Sequence, residues 1–118
     1  MENKWKIIYY ETLNGRSPVF NFIQSLDAKL KSKVIGVLDL LKELGIQSRS
    51  PHAKKLTGTN LWELRILGEA NIRIFYVAIV NRKFLLLHAF AKKKQKTDKK
   101  EIKIANDRLK DYKLHTQN

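Results

Sequence analysis

Asn60 to Phe90 reads NLWELRILGEANIRIFYVAIVNRKFLLLHAF, and its patterning decides the fold. It holds three runs rich in Ile, Val, Leu, Phe and Tyr, the residues that suit a pleated, half-buried surface. The connections between them are too short for a crossover helix, so the runs make an antiparallel meander. If Leu67 to Asn71 is a loop, Arg65 lies opposite Arg73 and Glu63 opposite Phe75. If Asn81-Arg82 is a two-residue turn, Phe75 lies opposite His88 and Arg73 opposite Phe90. One sheet face then carries Arg65, Arg73, Phe75, His88 and Phe90, while Trp62, Leu64, Ile66, Ile72, Ile74 and Tyr76 form a core face on the other side.

The flanking segments supply what that core face needs. Trp5 to Tyr10 is aromatic and β-branched and reads as a first strand, followed by a turn at Asn14-Gly15. Ser17-Pro18 is an N-cap with proline at the first helical position, opening a short helix with Val19, Phe20, Phe22, Ile23 and Leu26. Asp27 caps the next helix, whose Leu30, Val34, Val37, Leu38, Leu41 and Leu44 fall on one stripe before Gly45 ends it. Gln47 to Thr59 reads as a connecting loop. Asp98 and Glu101 form a capping box for a C-terminal helix that places Ile102, Ala105, Leu109 and Tyr112 on one side. The expected fold is α+β: N-terminal strand, helical hairpin, three-stranded meander, C-terminal helix, all in one domain spanning 1–118. The arginine face is expected to be free of helices.

Charge is unevenly spread. The 118 residues include 24 Lys plus Arg and 11 Asp plus Glu, a net +13, of which residues 1–48 carry +2 and residues 49–118 carry +11. A field of that size attracts polyanions, and nucleic acid heads the expected partners. Like charges facing each other destabilise a sheet, so Arg65 and Arg73 need an anion, either the neighbouring Glu63 or a bound phosphate. Lys92, Lys93, Lys94 and Lys96 follow Phe90 at the same end, which is more charge than one carboxylate neutralises; a phosphate site is the favoured reading. Phe75 or Phe90 beside these cations offers a ring on which a base can stack.

Several chemistries are excluded. The chain contains no Cys, so it has no disulfide, thiol nucleophile or Cys-ligated zinc. Its five glycines are scattered singly, so no phosphate-cradling glycine loop exists. His52, His88 and His115 lack the helical spacing of a zinc protease, and no metal or cofactor is expected. His52 and His115 read as surface residues and Tyr112 as packing. No apolar run approaches the ~18 residues of a membrane span, and a cytoplasmic, membrane-free protein is expected. What remains is cationic chemistry. RNA carries its own nucleophile in the 2′-hydroxyl, so its cleavage needs only a base, an acid and cations for the developing charge on phosphorus. Lysine crowded by other cations gives up its proton more readily, whereas arginine stays charged and grips.

The motifs Lys54-Lys55-Leu56-Thr57-Gly58, Leu61 to Arg65, Arg73 to Tyr76, Leu86 to Phe90 and Lys92 to Thr97 together resemble the RelE-superfamily toxins, in their HigB-type, phage-derived RelE-like branch. The resemblance implies the toxin of a type II toxin–antitoxin pair, a metal-independent endoribonuclease that cuts mRNA in the ribosomal A site and leaves a 2′,3′-cyclic phosphate. It also implies a protein antitoxin with a helix-turn-helix domain of the HigA type. By motif position Arg65 and Arg73 match the phosphate-binding arginines, Lys55 the basic residue before the second strand, and Lys92 with Lys93 the basic pair after the last strand. His88 or a lysine would move the protons, and Lys54, Lys55, Phe75, Phe90, Lys94 and Lys96 would hold RNA. Ala89, Lys94 and Asp98 stand where the branch usually has Gly, Thr and Pro. A gyrase-poisoning toxin of the ParE type and a non-enzymatic nucleic-acid-binding module are the competing readings.

Overall fold

The computed structural model describes residues 4–45, 52–66, 68, 70–93 and 99–116. In chain order the elements are β1 (Lys6–Tyr9), α1 (Pro18–Gln24), α2 (Ala28–Leu44), β2 (Ala53–Lys55), β3 (Trp62–Ile66), β4 (Ile72–Ile79), β5 (Lys83–Ala91) and α3 (Lys99–Thr116). The α+β class and the meander are as expected. The sheet has five strands in the order β1-β5-β4-β3-β2, with β1 parallel to β5 and the other pairs antiparallel. The additional strand, β2, lies in the segment that reads as a loop; three residues are too few to show an alternating pattern.

Local chemistry sets the helix ends. Asp27 accepts a hydrogen bond from the Leu30 amide at 2.8 Å, satisfying one of the orphan donors of α2. Gly45 closes α2 at φ 65°, where a Cβ would lie 2.6 Å from Trp5 Nε1. Ser17 occupies the N-cap position of α1 but its hydroxyl makes no capping bond, so Pro18 alone carries the start of that helix. Asp98 of the anticipated capping box lies outside the described residues.

The two sheet faces have separate cores. Leu64, Ile66, Ile72, Ile74, Tyr76, Phe84 and Leu86 pack against Val19 and Ile23 of α1 and Val34, Val37, Leu38 and Leu41 of α2. On the opposite face Phe75, Val77, Leu85 and Leu87 pack against Ala105 and Leu109 of α3. This overturns the expectation of a helix-free face: α3 covers the β5 side of it. An amphipathic helix reports that one stripe is buried, and the tertiary fold chooses the surface.

The expected pairings hold: Arg65 with Arg73, Glu63 with Phe75, Phe75 with His88 and Arg73 with Phe90. They are reached differently. Ile79 pairs with Lys83, so the β4–β5 loop is residues 80–82, and the register shifts between Phe75 and Tyr76, which pair with His88 and Leu86. Leu87 is the extra residue of a β-bulge, and both it and His88 face α3. Without the bulge the three-residue loop would set Leu87 opposite Phe75 and Ala89 opposite Arg73. The bulge therefore puts His88 and Phe90 into the arginine rows.

Candidate functional site

Strand alternation places Glu63 and Arg65 two residues apart on β3, so both side chains share a face, and antiparallel pairing brings Arg73 of β4 alongside Arg65. Glu63 binds them both. Its Oε1 accepts from Arg65 Nε at 3.2 Å, and its Oε2 lies 3.7 Å from Arg73 Nε. Glu63 is 2 % exposed and Arg73 8 %. Among the described residues neither Glu63 Oε2 nor Arg73 Nε has a hydrogen-bond partner, and Arg73 Nη1 makes one long bond, 3.4 Å, to the Ile72 carbonyl. A buried guanidinium with five donors and so few acceptors is underserved. Arg65 is the outward member of the pair, with 34 % of its side chain exposed.

Backbone contacts hold Arg65 in place. Its amide donates to the His52 carbonyl at 2.6 Å, and its carbonyl accepts from His52 Nδ1 at 3.2 Å. His52, expected at the surface, is thus half-buried and pins the strand beneath the arginine. Lys54 of β2 lies opposite Glu63 and so shares the arginine face, exposed. Lys55 does not: it pairs with Trp62, belongs to the opposite face, and its amine binds the Thr59 carbonyl. Lys55 is therefore separated from the arginine face by parity, since adjacent strand residues point to opposite sides.

At the other end of the rows, Lys92 and Lys93 follow β5, and the Lys92 amide bonds the Asn71 carbonyl at 3.0 Å, which anchors that end beside the start of β4. Lys94 and Lys96 lie outside the described residues. Phe75 is fully buried, edge-on to Phe90 at 5.2 Å, so it is core and presents no ring to a base. Phe90 is half-buried and stacks on His88 with centroids 5.3 Å apart.

His88 is committed to α3. Its Nε2 lies 2.7 Å from Glu101 Oε1, and Arg108 Nη1 approaches its Nδ1 at 3.3 Å while also donating to the Leu87 carbonyl at 2.9 Å. Arginine only donates, so Nδ1 accepts and the proton sits on Nε2, facing Glu101. Burial pushes the His88 pKa below its ordinary value, and the Arg108 charge adds to this against the opposing pull of Glu101. Burial thus favours the neutral imidazole, and both of its nitrogens are engaged. Tyr10 completes the clasp: its hydroxyl donates to Asp111 Oδ2 and its ring lies under the Arg108 guanidinium. Burial, with the Asp111 hydrogen bond, raises the Tyr10 pKa to about 12, so it stays a donor. Glu101 was read from sequence only as the capping-box partner of Asp98, and Arg108 was not singled out; i, i+7 spacing on a charged helix carries no distinctive signal.

Among the described residues no three His, Asp or Glu side chains gather as a metal site requires, and no helix is long and apolar enough to cross a membrane. The face offers a guanidinium pair, flanking amines and a half-buried ring, which together suit a phosphate ester carrying a base.

A search of curated proteins finds no match. Residues 21–110, which run from α1 through all of the meander and into α3, match the family described as phage-derived protein Gp49-like. That span includes both arginines, Glu63, His88, Glu101 and Arg108, and the architecture is compatible with a RelE-like fold. The chain belongs to the phage-derived Gp49-like family, a toxin-like family within the RelE/HigB-like superfamily.

Proposed function

We propose that this chain is the toxin of a type II toxin–antitoxin pair and a metal-independent, ribosome-dependent endoribonuclease. It cleaves mRNA by attack of a ribose 2′-hydroxyl on the adjacent phosphate, leaving a 2′,3′-cyclic phosphate and a 5′-hydroxyl. The observation that carries the reading is Arg73, a buried guanidinium beside a second arginine with more donors than acceptors around it. Family membership supports a toxin in general and implies an antitoxin partner; a helix-turn-helix antitoxin of the HigA kind belongs to the same proposal.

In this mechanism Arg65 and Arg73 hold the two non-bridging oxygens and stabilise the second negative charge that develops on the phosphorane. Because His88 is engaged by α3, the proton transfers fall to the amines bordering the face, Lys54 on β2 and Lys92 with Lys93 after β5. Phe90 stacks a neighbouring base, and Lys94 and Lys96 remain assigned to RNA binding by motif position alone. Purified protein added to mRNA-programmed ribosomes, with 5′-end mapping and end-group analysis, tests the reading. Cuts with a cyclic phosphate on the upstream fragment are expected. Inhibition of gyrase with intact RNA would replace it by the ParE-type reading, and salt-sensitive RNA binding without product by the binding module.

A further inference from the structure

Glu63 occupies an interior position of β3, where an apolar side chain would bury without electrostatic cost. A buried ion pair contributes little net stability compared with apolar residues of the same volume, so stability does not account for the carboxylate. Its contacts are specific. It meets both arginines at Nε, by a hydrogen bond to Arg65 and across 3.7 Å to Arg73. A guanidinium binds anions side-on through either its Nε/Nη edge or its Nη/Nη edge. With the Nε atoms turned toward Glu63, and Arg73 Nη1 making only a long 3.4 Å bond to the Ile72 carbonyl, the Nη atoms retain donor capacity for a second anion.

We propose that Glu63 is a positioning residue of the phosphate site: its buried carboxylate orients Arg65 and Arg73 and, as an internal anion, holds down their affinity for phosphate in the ground state. This rests on the reading of the arginine pair as a phosphate grip. Two arginines and one carboxylate leave one net positive charge facing a phosphodiester with one negative charge. Without Glu63 the pair would bind substrate and product more tightly, which lowers KM without assisting the chemical step. With it, the guanidiniums are held in place before the phosphorane forms.

The test combines titration with inorganic phosphate, read from the arginine Nε signals by NMR, with kcat and KM on programmed ribosomes. Glu63→Gln keeps the shape and removes the charge. It should bind phosphate about three- to tenfold more tightly, as loss of a like charge several ångströms away implies, while kcat falls at least about tenfold through misplaced arginines and KM falls with it. Glu63→Asp keeps the charge but withdraws it by one methylene, so phosphate affinity stays near wild type while kcat falls. A merely structural Glu63 would lower stability and weaken binding together. Wild-type or weaker phosphate affinity in Glu63→Gln overturns the proposal; if that variant does not fold, wild-type kcat in Glu63→Asp overturns it. A wild-type protein that cuts no RNA removes the nuclease reading, whereas the phosphate titration judges Glu63 in either event.

Discussion

Replacing Arg73 by Gln removes one charge from the arginine face while keeping a side chain of similar reach. Its catalytic effect can be worked from the geometry. The phosphorane gains one negative charge over the diester; at about 5 Å and an effective dielectric of about 20, one guanidinium stabilises that added charge by about 3 kcal/mol. That corresponds to about 10²-fold in rate, the range seen when a single transition-state donor is removed. A second effect must be separated from it. Arg73 has 10 % of its side chain exposed and Glu63 3 %, so the substitution leaves a buried carboxylate held by Arg65 alone. Removing one partner of a buried pair costs about 3–5 kcal/mol of stability, and the 3.7 Å separation without a hydrogen bond puts Arg73 near the lower end. Single-turnover cleavage should therefore be followed well below the thermal midpoint of the variant, with that midpoint measured by circular dichroism. Arg73→Lys keeps the charge but loses the fork and should fall between, about tenfold below wild type. Folded Arg73→Gln that cuts within about threefold of wild type would refute the assignment.

Three further outcomes follow from the same structure. Leu109→Ala deletes one of the two buried side chains of α3 and should cost about 2–4 kcal/mol, with amide exchange accelerating in α3 before β4; a loss under about 1 kcal/mol in urea titrations would mean that α3 is not held by that contact. Because the folded-state pKa of His88 lies below the unfolded value of 6.5, the unfolded chain takes up its proton first as pH falls. The His88 contribution is intact above pH 6.5 and declines below it, so the urea midpoint should drop more between pH 7.5 and 5.5 in wild type than in His88→Gln; equal drops would contradict the clasp. Gly45→Ala forces a Cβ against the Trp5 ring, itself stacked on Phe84, and combines that clash with a positive φ. A loss of about 1–3 kcal/mol is expected, and unchanged thermal stability would show that Trp5 moves freely.

The meander and its β3–β4 pairs were legible because strand parity and short loops are local properties, written within thirty residues, whereas the β4–β5 pairs agree only because the bulge at Leu87 offsets a loop one residue longer than expected. Glu63 was legible as a counter-ion for the same reason. Phe75 was placed on the correct face but misjudged as available, since whether a face is open depends on what returns to it from a helix some thirty residues further along the chain. The face of Lys55 was not legible because β2 is too short for its pairing, and hence its parity, to be seen. His88 shared the arginine face as expected, yet its partners Glu101 and Arg108 come from a helix whose charged pattern looks solvated.

Composition and periodicity alone determined a basic α+β chain whose first two meander strands present two arginines side by side, because alternation and turn length act over a few residues. Only the tertiary structure decided that α3 lies on that face, that a bulge at Leu87 brings His88 and Phe90 into register, and that Arg73 is buried with an unfilled donor. Those outcomes depend on contacts between segments far apart in the chain, where the free energy of burial selects among docking surfaces that the local pattern leaves equivalent.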